Sequence, residues 1–166
     1  MRLLKVSFFL EIFLLSCNDG TSEKFLKSAI DVAEQYAVNQ LTVKEKKITK
    51  DGITVIGSEE KKYVIDPSKV FTGNINDDDE PDAVVTIVSF LQNRLLLTEH
   101  LIMLNEGGEL IIIRSVESDM RILGLNNRII TAKVPTHPRS SPLHYCEECQ
   151  EIRNYRYADG DLKEIK

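Results

Sequence analysis

The chain predicts an α+β fold: one N-terminal helix packed on a meandering, curved antiparallel sheet of about six to eight strands. Three observations predict it. Apolar residues recur at three- and four-residue spacing before residue 40. Runs rich in Val, Ile and Leu, separated by turn residues, follow residue 42. Among those runs, ahead of the longest of them, lies an acidic stretch, Phe71-Thr-Gly-Asn-Ile-Asn-Asp-Asp-Asp-Glu-Pro-Asp82. With 166 residues, 42% hydrophobic and 28% charged, the chain is long enough to bury a sizeable core in one domain.

The helix is expected over residues 22–40. Thr21 or Ser22 can cap it, with Glu23 in its first turn. Phe25, Leu26, Ala29, Ile30, Ala33, Tyr36 and Ala37 form one stripe. Lys24, Lys27, Asp31, Glu34 and Gln35 occupy the opposite side. So regular a stripe fits cover for the domain's own sheet better than a partner-binding surface.

The strands follow. Val43–Thr49 and Ile53–Ile56 flank the turn Lys50-Asp51-Gly52, and Tyr63–Ile65 is stopped by Asp66-Pro67-Ser68. Ala83–Leu91, Arg94–Leu104, Glu109–Glu117 and Arg128–Val134 make a meander with turns at Gln92-Asn93, Asn105–Gly108 and Gly124–Asn127. Both faces of the first three of these are largely apolar, so both need cover. The helix supplies one side, and self-association or a ligand cavity would account for the other. Ile152–Tyr157 and Leu162–Ile165 close the chain as a hairpin.

The first residues read as an address. Arg2 and Lys5 precede a mostly apolar run, Val6 to Leu15, too short to span a bilayer as a helix. It ends in Leu14-Leu15-Ser16-Cys17. That order resembles the lipobox of bacterial lipoproteins, and the Bacteroidetes type in particular. The resemblance implies a signal peptide over residues 1–16, lipid on Cys17, a tether over 17–21 and a single domain over 22–166. It also implies a bacterial envelope location, in the outer membrane. Glu11 departs from the pattern by placing a charge inside the apolar run. The bland alternative is an N-terminal helix or strand of a cytosolic protein.

In the acidic stretch, Asn74, Asn76, Asp78, Glu80 and Asp82 stand at alternate positions, where oxygens can converge on a hard cation. The frame resembles the calcium loops of FG-GAP and related bacterial repeats, which would make these five the ligands. Asn74 replaces a leading Asp, Asp79 replaces the turn glycine, and Val85 stands where an EF-hand has its bidentate Glu. The loop is thus expected chiefly to be the turn into the next strand, with calcium as an optional occupant and no cofactor required.

Counting registers across the turns, with Leu91 facing Arg94 and Leu104 facing Glu109, aligns Thr86, Glu99 and Arg114 in one polar row. The row reads either as a paired charge at the sheet rim or as the polar spot of a binding pocket. His100 falls on the alternate face.

Pro135–Pro142 cannot be regular structure. Cys146 and Cys149 follow, with three readings: a disulfide, which an oxidising exterior favours; a zinc site with His137 and His144, whose spacing matches no standard module; or a thioredoxin-like redox pair, which lacks its βαβ context.

A net charge of −5 with no basic face excludes a nucleic-acid partner. No Gly-x-Ser-x-Gly elbow, phosphate loop or His-Glu-x-x-His occurs. The sequence reading is a non-enzymatic envelope protein, held to the membrane through lipid on Cys17. It would act by binding or by interaction with another envelope protein through its acidic face. The alternative is a small periplasmic hydrolase or redox enzyme with a pocket on the sheet.

Overall fold

The structure, a computed structural model, describes residues 19–165. The expected signal segment, residues 1–16, and Cys17 lie outside these residues. Among the described residues the order is one α-helix, α1 (Asp19–Asn39), then ten strands. They are β1 (Val43–Thr49), β2 (Gly52–Gly57), β3 (Lys61–Gly73), β4 (Asp82–Leu91), β5 (Arg94–Glu106), β6 (Glu109–Glu117), β7 (Arg121–Asn126), β8 (Ile129–Pro135), β9 (Gln150–Ala158) and β10 (Asp161–Ile165). The α+β class holds. The single sheet becomes two, a six-stranded sheet in the order β1-β2-β3-β4-β5-β6 and a four-stranded sheet in the order β10-β9-β8-β7. All pairings are antiparallel.

The helix begins three residues before its expected start. Its deepest stripe is Ala29, Ala33 and Ala37, all at 0% exposure, one residue per turn. Alanine at each contact lets the helix axis lie close to the sheet, while Phe25, Ile30 and Tyr36 flank it. Below the stripe lie Val55, Ile65, Val85, Ile87, Leu101 and Met103. The opposite face of the same sheet carries Val84 and Ile102, which meet Met120, Ile122, Ile130 and Ala132 of the second sheet. The cover that the sequence left unassigned is therefore the four-stranded sheet. The result is three layers with two cores.

Turn chemistry sets the hairpins. Gln92-Asn93, Asn127-Arg128 and Asp159-Gly160 all have positive φ at both residues, as two-residue hairpin turns matched to strand twist require. At Gly52, φ is +136°, and a Cβ there would lie 2.2 Å from the Ile65 carbonyl oxygen, so no side chain is tolerated.

Two strand assignments change. Asp66-Pro67-Ser68 does not stop β3. Pro67 removes a donor, pairing with β4 lapses between Ile65 and Val70, and the strand then resumes to Gly73. Gly124–Asn126 is strand, not turn: β7 runs through it, with a register shift between Ile122 and Gly124.

Candidate functional site

The acidic loop joins β3 to β4, and its centre is Asp82, fully buried. Asp82 Oδ2 accepts from the backbone N–H of Ile75 at 2.6 Å, and from that of Asn76 at 3.4 Å. Its Oδ1 accepts from the Asn105 N–H, at the end of β5, at 2.9 Å. One carboxylate thus fastens the loop to the neighbouring strand. Upstream, Asp78 Oδ1 accepts from the Glu80 N–H at 2.9 Å, and Asn76 Oδ1 accepts from the Asp78 N–H at 3.1 Å. The Asn74 amide donates to the Asp78 carbonyl, and Arg128 pairs with Asp77. These bonds order the loop internally.

The calcium expectation is altered at one residue. Asp82 was to supply a ligand, but both of its oxygens face amide donors. Among the described residues no group of three or more His, Cys, Asp or Glu gathers at metal-ligand spacing. Two loop acceptors, Asn74 Oδ1 and Glu80 Oε2, are enclosed with no hydrogen-bond donor.

The same loop forms one lip of a cleft of about 690 Å³. Phe25 and Ser28 of α1 make one wall and Leu110 of β6 another, with Asp79, Glu80 and Pro81 as the lip. Its walls are mainly apolar. No ion pair is formed by Asp79 or Glu80 among the described residues.

The row of Thr86, Glu99 and Arg114 does not form. Thr86 pairs with His100, Glu99 with Glu117, and Arg114 with Ile102. A shorter turn and two bulges cause this: Leu104 pairs with Ile111 and Glu106 with Glu109, so the β5–β6 turn is Gly107-Gly108 and not Asn105–Gly108. Ser89 pairs with Leu97 but Phe90 with Leu95, which leaves Leu96 as an extra residue. Ile102 pairs with Arg114 but Met103 with Ile112, which leaves Ile113 extra. One extra residue moves every later side chain to the other face. Glu99 therefore points beneath the helix, where its Oε1 accepts from Tyr36 Oη at 2.8 Å and Ser115 Oγ at 3.0 Å. Its Oε2 has no partner. Burial first, and the Glu99 charge after it, push the Tyr63 phenol up to about 12. Arg114 lies on the opposite face, 3.7 Å from Asp161 of β10.

Thr86 and His100 sit on the face turned toward the second sheet, with Thr86 Oγ1 2.9 Å from His100 Nδ1. Thr86 lines a second cleft, of about 410 Å³. His100 is fully buried behind it. Burial drives its imidazole down to about 4, opposed by the nearby backbone of Met120 and Ser118. None of those backbone groups reaches hydrogen-bond geometry with Nε2, which stays unpartnered.

Cys146 and Cys149 are paired, with Cα atoms 5.1 Å apart, in a short 3₁₀ turn. Glu147 within that turn accepts from Arg121 Nη2 at 3.0 Å and Lys133 Nζ at 2.6 Å. The proline loop is held by Asp119, between β6 and β7. Asp119 takes a two-pronged ion pair from Arg139 and lies 3.1 Å from His144 Nε2. The Arg139 hydrogen bond is the main reason the Asp119 carboxyl sits below its usual range. His144 Nδ1 meets the His137 carbonyl at 2.7 Å. Both ring nitrogens of His144 are thus engaged and both thiols are paired, which removes the zinc reading. No βαβ unit surrounds the pair, and its 3₁₀ turn is only three residues long, which leaves the redox reading without a helix N-terminus.

Sequence reasoning missed Asp119, Tyr36 and the second cleft. Asp119 carried one signal, an acid in the short break between two strands. Tyr36 read only as stripe. The cleft depends on bulges that carry no compositional mark. Comparison of the chain with family models, with curated proteins and with solved structures finds no match.

Proposed function

We propose that this chain is a lipid-anchored protein of the bacterial outer membrane that acts by binding another envelope protein. The contact site is the larger cleft, and the occupant is an apolar segment carrying a basic side chain. The observation that carries this reading is Glu80: it lines a mainly apolar cleft, and one of its oxygens is enclosed with no donor. Lys24 of α1 also lines the cleft without an ion pair among the described residues, and against the two acids Asp79 and Glu80 it leaves one negative charge; a guanidinium or ammonium of the occupant would match it and supply the donor that Glu80 lacks.

The lipobox reading has a consequence for the cleft's position. The helix starts at Asp19, two residues after Cys17, and Phe25 already lines the cleft. Extended chain and helical rise together allow at most about 16 Å between Cys17 and Phe25. A lipid on Cys17 would therefore present the cleft close to the membrane surface. Among the described residues no helix is long and apolar enough to cross a membrane.

Two experiments test the reading. Radiolabelled palmitate should mark the wild type and not Cys17→Ala; label on both removes the anchor. A photo-crosslinker at Ser28 should trap one discrete protein in the native envelope, and Asp79→Lys/Glu80→Lys should abolish the product. No product, or one indifferent to the charge reversal, removes the cleft.

The alternative, a small hydrolase, draws on Thr86 and His100. A hydroxyl 2.9 Å from an imidazole is a nucleophile–base spacing. Yet the burial that holds His100 near 4 also disfavours the imidazolium that proton transfer would create, and no carboxylate stands by to stabilise it. Binding is the reading these groups support better.

A further inference from the structure

The smaller cleft lies apart from the acidic lip, on the other face of the six-stranded sheet. Its origin is the lapse in β3. Between Ile65 and Val70 that strand leaves β4, and the Asp66–Lys69 segment stands as one wall. Residues Asp119 to Ile122 stand opposite. The interior is built from Val64, Val88, Phe90, Met120 and Ile122, with the Thr86 hydroxyl at the back. A space of about 410 Å³ with apolar walls and few polar groups falls in the range of small-molecule sites.

The charges around it are unequal in what they are free to do. Asp119 is engaged by Arg139 and His144. Arg121 is engaged by Glu147. Asp66 Oδ1 accepts from the Ser68 N–H at 2.9 Å. Lys62, beside Phe90, donates to Asn93. Lys69 is exposed on the cleft wall and, among the described residues, forms neither an ion pair nor a side-chain hydrogen bond. Asp66 and Lys62 keep their charge, being bonded to neutral groups alone, but among the described residues Lys69 is the charged side chain of this wall with no bond at all, and so the one whose donors are all free.

We infer that this cleft binds a small amphipathic monocarboxylate, its apolar body among Val64, Val88, Phe90 and Met120 and its carboxylate on Lys69. At about 30 Å³ per water-sized volume, the space holds roughly a dozen non-hydrogen atoms. An unbranched ten-carbon acid has that size. Thr86 adds a directed hydroxyl. Its partner His100 is neutral at physiological pH, so the polar pair adds no second charge to compete with Lys69.

The test is calorimetric titration of the purified chain, disulfide intact, with sodium decanoate. One-to-one binding is expected, with a dissociation constant on the order of 0.1 mM or tighter. Lys69→Met, at an exposed position, should weaken it by about tenfold or more, and Lys69→Arg should retain it. In a methyl spectrum the Met120 signal should move with saturation, while that of Met103, in the helix-side core, should not. Glu80→Lys, in the larger cleft, should leave the affinity unchanged, so this site and the one proposed above stand or fall separately. No saturating heat at millimolar decanoate overturns the inference. So does equal affinity in Lys69→Met, a response of Met103 in place of Met120, or loss of binding in Glu80→Lys.

Discussion

Asp82→Ala is the most direct probe of how the loop is held. The substitution removes an acceptor that serves three backbone amides, two at 2.6 and 2.9 Å and a weaker one at 3.4 Å. A hydrogen bond to a charged acceptor contributes about 1.5–3 kcal/mol, and a buried donor left without a partner costs about 1–3 kcal/mol. Taking the two short bonds alone, the loss comes to about 3–6 kcal/mol. That is a large share of the roughly 5–15 kcal/mol that holds a domain folded. Urea unfolding should show it as a fall in midpoint of about 2 M for a slope near 2 kcal/mol/M. A thermal scan should fall by about 10 °C or more. Asp82→Asn should not rescue, because its NH₂ would replace one acceptor with a donor facing an amide N–H. A loss below about 1 kcal/mol, or full stability in the Asn variant, would refute the claim that this carboxylate fastens β3–β4 to the end of β5.

Three further outcomes follow from other groups. His100 is depressed from 6.5 to about 4, so the unfolded chain binds the extra proton between those values. Stability is therefore complete above pH 6.5 and declines by about 3 kcal/mol as pH falls toward 4. Urea midpoints across that window should decline in the wild type and lie flatter in His100→Gln. Cys146→Ser/Cys149→Ser opens a ring of only four residues, for which loop closure accounts for about 2 kcal/mol. Hydrogen exchange should quicken around Glu147 and at the Arg121 and Lys133 strands it bridges, with β2 to β5 unaffected. Calcium titration separates the two readings of the loop: a saturating isotherm abolished by Asp78→Ala supports the five-residue ligand set, and no saturating heat at millimolar ion leaves the amide-held turn alone.

The helix was legible because Ala29, Ala33 and Ala37 keep one face through successive turns, a pattern that needs no tertiary information. The turn at Gln92-Asn93 was legible because few residues accept positive φ in tandem. The disulfide was legible from the cysteine count and the expected compartment. The polar row was not, because Leu96 and Ile113 are as apolar as their neighbours and nothing in their chemistry marks them as extra. A register counted outward from a turn fails at the first unmarked bulge. Strand β7 was hidden differently. Gly124, Asn126 and Asn127 are turn formers, yet Gly124 sits beside a bulge where a strand admits glycine. The second sheet was implied by the apolar outer face of Val84 and Ile102, but its source could not be named without knowing that β7 was a strand. Glu80 was placed in the loop by sequence, while its enclosure depends on Phe25 and Leu110, distant in the chain.

The strand order has a consequence for how the molecule is made. In both sheets each strand pairs only with the strand before or after it in sequence. Closing each pair therefore costs the entropy of a short loop, β8–β9 excepted, where the proline loop of residues 136–149 intervenes, and no early strand waits for a distant one. A chain delivered N-terminus first would meet every partner as it emerged. The six-stranded sheet could be complete by Glu117, before Arg121 is available. Its outer face would then be a finished template on which the last four strands assemble, and the interval between the two events is when Val84 and Ile102 are open to the wrong partner.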